Sequence, residues 1–348
     1  MRAAVMRSGA LLVDEVATPV PAAGQVLVET IACGICGSDL HCLRHARRFV
    51  EVSRETGLGV FDFDPDRDVV MGHEFSARVL APGPGVTGWQ GGEEIVAFPT
   101  IRTPAGVRAV GYSNDYPGGY AQQMVLDEAS IRRIPNGLDP RLAALTEPMA
   151  VGLHAVNESR LGAGPAAAAG AVVLGCGPVG LAVIASLAHR GAPLVVAAEL
   201  SPARRELAGR LGAHVVVDPR EQPPVEAWRA AGGRGPLVIF EAVGVPGMLD
   251  LAMTAAPPAS EIVVVGVCME DDRIRPTVGI NKRLSLRFVL GWSPAEFEES
   301  LAAIAEGRVD VSPLVTGEVS LDETPAAFAA LGDPQGHAKI LVRPNGFT

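Results

Sequence analysis

Ala171-Val172-Val173-Leu174-Gly175-Cys176-Gly177-Pro178-Val179-Gly180 decides how this chain folds. Four apolar residues of strand character run directly into a G-x-G-x-x-G loop, and the apolar residues beyond it continue with helical character. In such a strand–turn–helix the first glycine permits a tight turn. The second lets backbone approach a pyrophosphate, and the third lets the helix pack on the strand. The helix N-terminus offers unpaired N–H groups and a positive dipole end to the phosphates. Gly175, Gly177, Pro178, Val179 and Gly180 are therefore the first cofactor candidates.

Downstream, more apolar runs alternate with helical patterns: Leu194-Val195-Val196-Ala197, Val215-Val216-Val217, Leu237-Val238-Ile239-Phe240 and Ile262-Val263-Val264-Val265, with Phe288-Val289-Leu290 as a sixth candidate. Strands apolar throughout are buried on both faces, which implies an α/β fold with a doubly wound parallel sheet. Ser201-Pro202 before Ala203–Leu211 reads as a helix N-cap followed by proline at the first helical position. Glu199 ends the second run, 19 residues after Gly180. A carboxylate there accepts hydrogen bonds from both ribose hydroxyls and repels a 2′-phosphate, so NAD is expected rather than NADP. Arg204, one turn on, lies either along the adenosine or on a solvated helix face.

Upstream the texture changes. The first 150 residues are rich in Gly and Pro, with short strands expected at Val26-Leu27-Val28 and Val69-Val70-Met71. The densest chemical cluster is Cys33-Gly34-Ile35-Cys36-Gly37-Ser38-Asp39-Leu40-His41. No second C-x-x-C completes a structural metal site, so a mixed catalytic site is expected, with ligands from Gly72-His73-Glu74 and Thr146-Glu147-Pro148. Cys36, His73 and Glu147 would supply thiolate, imidazole and carboxylate to zinc and leave one position open for an alcohol. Ser38 and His41 would carry the released proton outward.

These motifs, with Gly85-Val86-Thr87-Gly88, Gly118-Gly119-Tyr120-Ala121 and Glu147-Pro148-Met149-Ala150-Val151, resemble the zinc-dependent medium-chain dehydrogenase/reductase family along nearly the whole chain. The family includes alcohol, sorbitol, butanediol and threonine dehydrogenases. The resemblance implies a GroES-like catalytic domain of irregular β structure (1–150 and 291–348) and a Rossmann NAD-binding domain (151–290). It implies that Cys36 and His73 ligate zinc, that Glu74 is a ligand or close neighbour able to exchange with water, and that Glu147 takes the place where other members carry Cys, Asp or Glu. Ser38 and His41 match the proton relay, Asp39 would orient His73, and Val179 would pack behind the nicotinamide. Relatives with a structural zinc hold it by four cysteines in the lobe after Gly-Val-Thr-Gly. Here residues 98–112 contain no cysteine, so one catalytic zinc per chain is expected.

The remaining features narrow the function. A chain of 348 residues suits two domains, and a net charge of −10 makes nucleic acid and anionic membranes poor partners. Five cysteines, three of them within ten residues, do not form a disulfide framework, and a reducing, cytoplasmic setting is expected. The segment Ala163–Ala188 has no charged residue, but its glycines and prolines fit a buried strand–turn–helix better than a membrane span. The segment between His41 and His73 is a candidate substrate lid, although its arginines Arg44, Arg47, Arg48 and Arg54 fit a solvated helix face better. The expectation is thus an NAD-linked, zinc-dependent oxidation of a secondary alcohol or diol by a homo-oligomer, dimer or tetramer. The alternatives are a zinc-free enone or quinone reductase using NADPH and a non-catalytic dinucleotide-binding relict.

Overall fold

A computed structural model describes residues 1–104, 106–135, 137–161, 170–333 and 335–347. The chain divides into two compact units, Met1–Glu147 with Val315–Asp333 and Lys339–Thr348, and Pro148–Leu314 with Pro334–Ala338. Residues 291–314, expected in the first domain, fall in the second unit. The helix Pro294–Ala305 holds them there: Glu296 accepts from Asn157 at 2.9 Å and pairs with His154 at 2.9 Å, and Glu299 pairs with Arg190 at 2.7 Å.

In the second unit six parallel strands lie in the order Val215–Val217, Val195–Ala198, Ala171–Leu174, Val238–Glu241, Glu261–Val264 and Ser285–Phe288. The chain starts at Ala171–Leu174 and builds outward to both sides, so the strand order reverses there. Ligands bind at such a reversal, beyond the strands' carboxyl ends. Each apolar run read from sequence lies within a residue of a strand except the last, which is Ser285–Phe288 rather than 288–290. The helix Pro178–His189 follows the glycine-rich loop and is buried from Gly180 to Leu187. Its residues belong to the charge-free segment singled out above, whose stretch 163–169 lies outside the described residues. Among the described residues no helix is long and apolar enough to cross a membrane.

The first unit is built on a seven-stranded sheet. Its central strand, Gln25–Gly34, pairs antiparallel with Glu74–Pro82 on one side and, through its last residues, with Lys339–Arg343 on the other. The register sets Gly34 opposite both Glu74 and Leu341. Strands that are far apart in sequence therefore end at one place, and the helix Gly37–Glu55 starts there. Val69-Val70-Met71 is not a strand. It makes one bridge, Met6 with Val69, because Gly118 and Tyr120 donate to the carbonyls of Val70 and Met71. Thr100–Thr103 and Gly106–Ala109 pair antiparallel as a separate two-stranded sheet.

Candidate metal and nucleotide sites

Cys36, His73 and Glu74 converge where those strands end. One ligand atom from each lies within 4.8 Å of the others. Cys36 caps the helix Gly37–Glu55, Glu74 opens the strand that pairs with Gly34, and His73 directly precedes that strand. A thiolate, an imidazole and a carboxylate at this spacing form a donor set suited to Zn²⁺. The Glu74 carboxylate can reach inward because position 34 is glycine; a Cβ there would stand 2.2 Å from Glu74 Oε2.

The surroundings fit a metal site. Asp39 Oδ1 faces His73 Nδ1 at 3.4 Å, which leaves Nε2 for an ion. Burial opposes charge on His73, but Asp39 and Cys36 outweigh it and hold the imidazole's proton affinity well above its usual value. A basic imidazole oriented by a carboxylate is a strong metal ligand. Burial also opposes charge on Asp39, yet His73, the Tyr120 hydroxyl and the Cys36 N–H together keep it ionised below the usual carboxylate range.

Sequence reasoning missed Lys339. Its Nζ donates to Glu74 at 2.8 and 2.5 Å and to the Ile35 carbonyl at 3.0 Å, and both side chains of the pair are almost fully buried. Burial would discharge Lys339, but Glu74 and Cys36 beside it raise its pKa. The pairing arises from strand register across 265 positions, which no local motif encodes.

Of the two carboxylates the sequence offered as ligands, Glu74 is in the converging group, whereas Glu147 lies outside it, in the first turn of the helix Thr146–Asn157. Ser38 lies beside the group, its Oγ 3.5 Å from His73 Nε2 and 2.8 Å from the Tyr112 hydroxyl. His41 is half-buried one turn further along the same helix. Burial, then the nearby His45 and Arg44, lower its pKa, so it is neutral near pH 7. Arg47, Arg48 and Arg54 pair with Asp66, Glu51 and Glu55, and Asp62 respectively, which makes them an exposed ion-paired face.

In the second unit, Gly175 has φ +85°, a left-handed conformation that favours glycine, and a Cβ on Gly180 would stand 2.0 Å from the Gly175 carbonyl. The loop can therefore turn tightly only with these residues. Glu199 ends its strand and reaches back: Oε2 accepts from the Cys176 N–H at 2.8 Å and Oε1 from the Ser201 N–H at 2.9 Å. A carboxylate has about four acceptor positions, so lone pairs remain for ribose hydroxyls. Ser201 caps the helix Pro202–Arg210, accepting from the Arg204 N–H. Arg204 is half-buried and donates to the His337 carbonyl at 3.1 Å, so it is not simply a solvated face.

The comparisons agree with this geometry. Residues 22–136 match the model for the alcohol dehydrogenase GroES-like domain, and residues 178–306 match that for zinc-binding dehydrogenases. The chain is 34% identical to a (R,R)-butanediol dehydrogenase of Bacillus subtilis (strain 168) over 96% of both chains. It superposes on a crystal structure of 2R,3R-butanediol dehydrogenase from Bacillus subtilis with a TM-score of 0.83 at 32% identity, covering 99% of each chain. A second structure, described as a zinc-binding dehydrogenase from Sinorhizobium meliloti 1021 and bound to NADP, gives a TM-score of 0.82 at 28% identity, again over 99% of each chain.

Proposed function

Because the chain belongs to the zinc-dependent medium-chain dehydrogenase family, we propose that it oxidises a secondary alcohol or diol to the ketone, reversibly, with one zinc per chain and NAD. The observation that carries this reading is the convergence of Cys36, His73 and Glu74 beside Ser38. When bound, zinc supplies Lewis acidity toward an alcohol oxygen and NAD accepts a hydride.

The chain's own residues do the rest. Cys36, His73 and Glu74 would hold the ion, Asp39 would orient His73, and Lys339 holds the Glu74 carboxylate in place. Ser38 receives the hydroxyl proton, and neutral His41 takes it at the outer end of the relay. The loop Gly175–Gly180 would hold the pyrophosphate, Val179 would pack behind the nicotinamide, Glu199 would accept from the adenosine ribose hydroxyls, and Arg204 would lie along the adenosine. The Glu199 carboxylate favours NAD because a 2′-phosphate would meet a buried negative charge.

The absence of cysteine between residues 98 and 112 supports a single zinc. A homo-oligomer is supported by the edge strand Ser285–Phe288, beside which Phe288 and Leu290 are 70% and 67% exposed. Five free cysteines fit a reducing, cytoplasmic setting.

The test is NADH formation at mildly alkaline pH over a panel of vicinal diols, cyclic secondary alcohols and sugar alcohols, each with NAD and with NADP. The reading requires turnover of at least one class, faster with NAD, abolished by a chelator and restored by zinc. Full turnover of enones with NADPH by metal-free protein would overturn it.

A further inference from the structure

Tyr112 lies just beyond the strand Gly106–Ala109, and no motif marks it. It is 3% exposed. Its ring stacks on Phe49 at 5.3 Å, meets Phe61 edge-on at 5.4 Å and leans on His73 at 5.3 Å. Its hydroxyl is 2.8 Å from Ser38 Oγ and 2.8 Å from Asp39 Oδ1.

Both hydrogen bonds have a fixed direction. The Asp39 carboxylate can only accept, so the single Tyr112 proton goes to Asp39. The contact with Ser38 must then run from the Ser38 hydroxyl to the Tyr112 oxygen. In the resting site that points the Ser38 proton at Tyr112 and leaves the Ser38 lone pairs open; for a proton to pass on toward His41, the Ser38 hydroxyl turns away from Tyr112 as the substrate proton arrives.

The two neighbours depend on Tyr112 unequally. Asp39 also accepts from the Tyr120 hydroxyl at 2.7 Å and the Cys36 N–H at 3.0 Å, so it stays anchored without Tyr112. The other contact of Ser38 is His73 Nε2 at 3.5 Å, too long for a firm hydrogen bond and on the nitrogen left for the metal. Without the phenol, Ser38 has no strong anchor.

We infer that Tyr112 is a positioning residue: it fixes Ser38 as the hydrogen-bond acceptor for the substrate hydroxyl. The inference rests on the alcohol-oxidising reading above. It also gives the segment 44–70 a role, since Phe49 and Phe61 hold the Tyr112 ring in register with Ser38. Tyr112→Phe keeps the ring seated and removes only the hydroxyl.

The test is a double-mutant cycle with Ser38→Ala, run beside crystal structures and zinc content of the loaded proteins. Tyr112→Phe is expected to lower kcat about tenfold, the worth of one hydrogen bond, with zinc content unchanged. The double variant is expected to be no slower than Ser38→Ala, because a residue acting through another adds nothing once that residue is gone. In the Tyr112→Phe crystal, Ser38 Oγ should leave its position while Asp39 stays. Additive kinetics, or a fixed Ser38 with a displaced Asp39 or His73, would overturn the inference. If zinc-loaded wild type oxidises no alcohol, the proposed function fails, and the crystals still decide whether Tyr112 holds Ser38.

Discussion

The nucleotide loop and the ligand cluster are built in opposite ways. The loop is local: Gly175 to Gly180 are contiguous, and their brace, Glu199, ends the adjacent strand. The cluster is assembled by register: Cys36 follows one strand, His73 precedes another, and Lys339 begins a third at the far end of the chain. A local motif can be read as a word. A site assembled by register can be recognised in outline, but which groups finally face each other depends on strand pairing.

Substitutions in the two regions should therefore fail differently. Cys36→Ala is expected to have the largest effect: loss of the zinc and at least about 10³-fold in alcohol oxidation, with NADH binding retained, as checked by metal analysis and NADH fluorescence titration. Lys339→Met comes next. In the zinc-free chain it leaves the buried Glu74 carboxylate without a partner, which should cost about 3 kcal/mol in urea unfolding, and adding Glu74→Gln should recover much of that loss. Recovery would show that the pair, rather than the lysine's packing, carries the effect.

On the nucleotide side, Glu199→Ala should raise the KM for NAD about tenfold, leave zinc content unchanged and narrow the preference over NADP. A loss of zinc in this variant would break the distinction between the regions. His41→Ala should cost about tenfold at pH 7, less than a directly placed base because water can substitute at the outer end of a relay. The sign of its pH dependence follows from the lowered pKa. His41 is neutral and able to accept a proton above that lowered value, so the His41-dependent part of the rate falls away only in acid, below the ordinary imidazole range. The deficit of the variant should narrow as pH rises and hydroxide takes over. The smallest effect is expected for Glu147→Gln: if Glu74 is the carboxylate ligand, this variant keeps its zinc, and loss of zinc would assign the ligand to Glu147 instead.

What was legible follows the same division. The parallel sheet, its glycine-rich loop, Glu199 and the cap at Ser201 all come from short-range patterns, and the structure places them as the sequence suggests. Cys36 and His73 were singled out by residue type and spacing and Asp39 by the family resemblance, and the structure brings the three together. Glu147 and Glu74 were both offered as the carboxylate because each stands at a recognisable motif, and the choice between them was not legible because the inward turn of Glu74 depends on Gly34 across the sheet. Lys339 and Tyr112 were invisible for the same reason: each is an ordinary residue until the fold sets it against Glu74 or Ser38. The expected strand at 69–71 failed because the partners of those carbonyls come from the loop at 118–120. The boundary at 291 shifted because ion pairs to His154 and Arg190 hold the following helix to the second unit.

The central claim is that a single ion held by Cys36, His73 and Glu74 is required for alcohol oxidation. Its most direct test is to measure zinc per chain and diol-dependent NADH formation on one preparation, before chelation, after it, and after zinc is returned. The account predicts about one zinc per chain, loss of turnover with loss of zinc, and recovery of both together. Undiminished alcohol oxidation by the fully demetallated chain would contradict it.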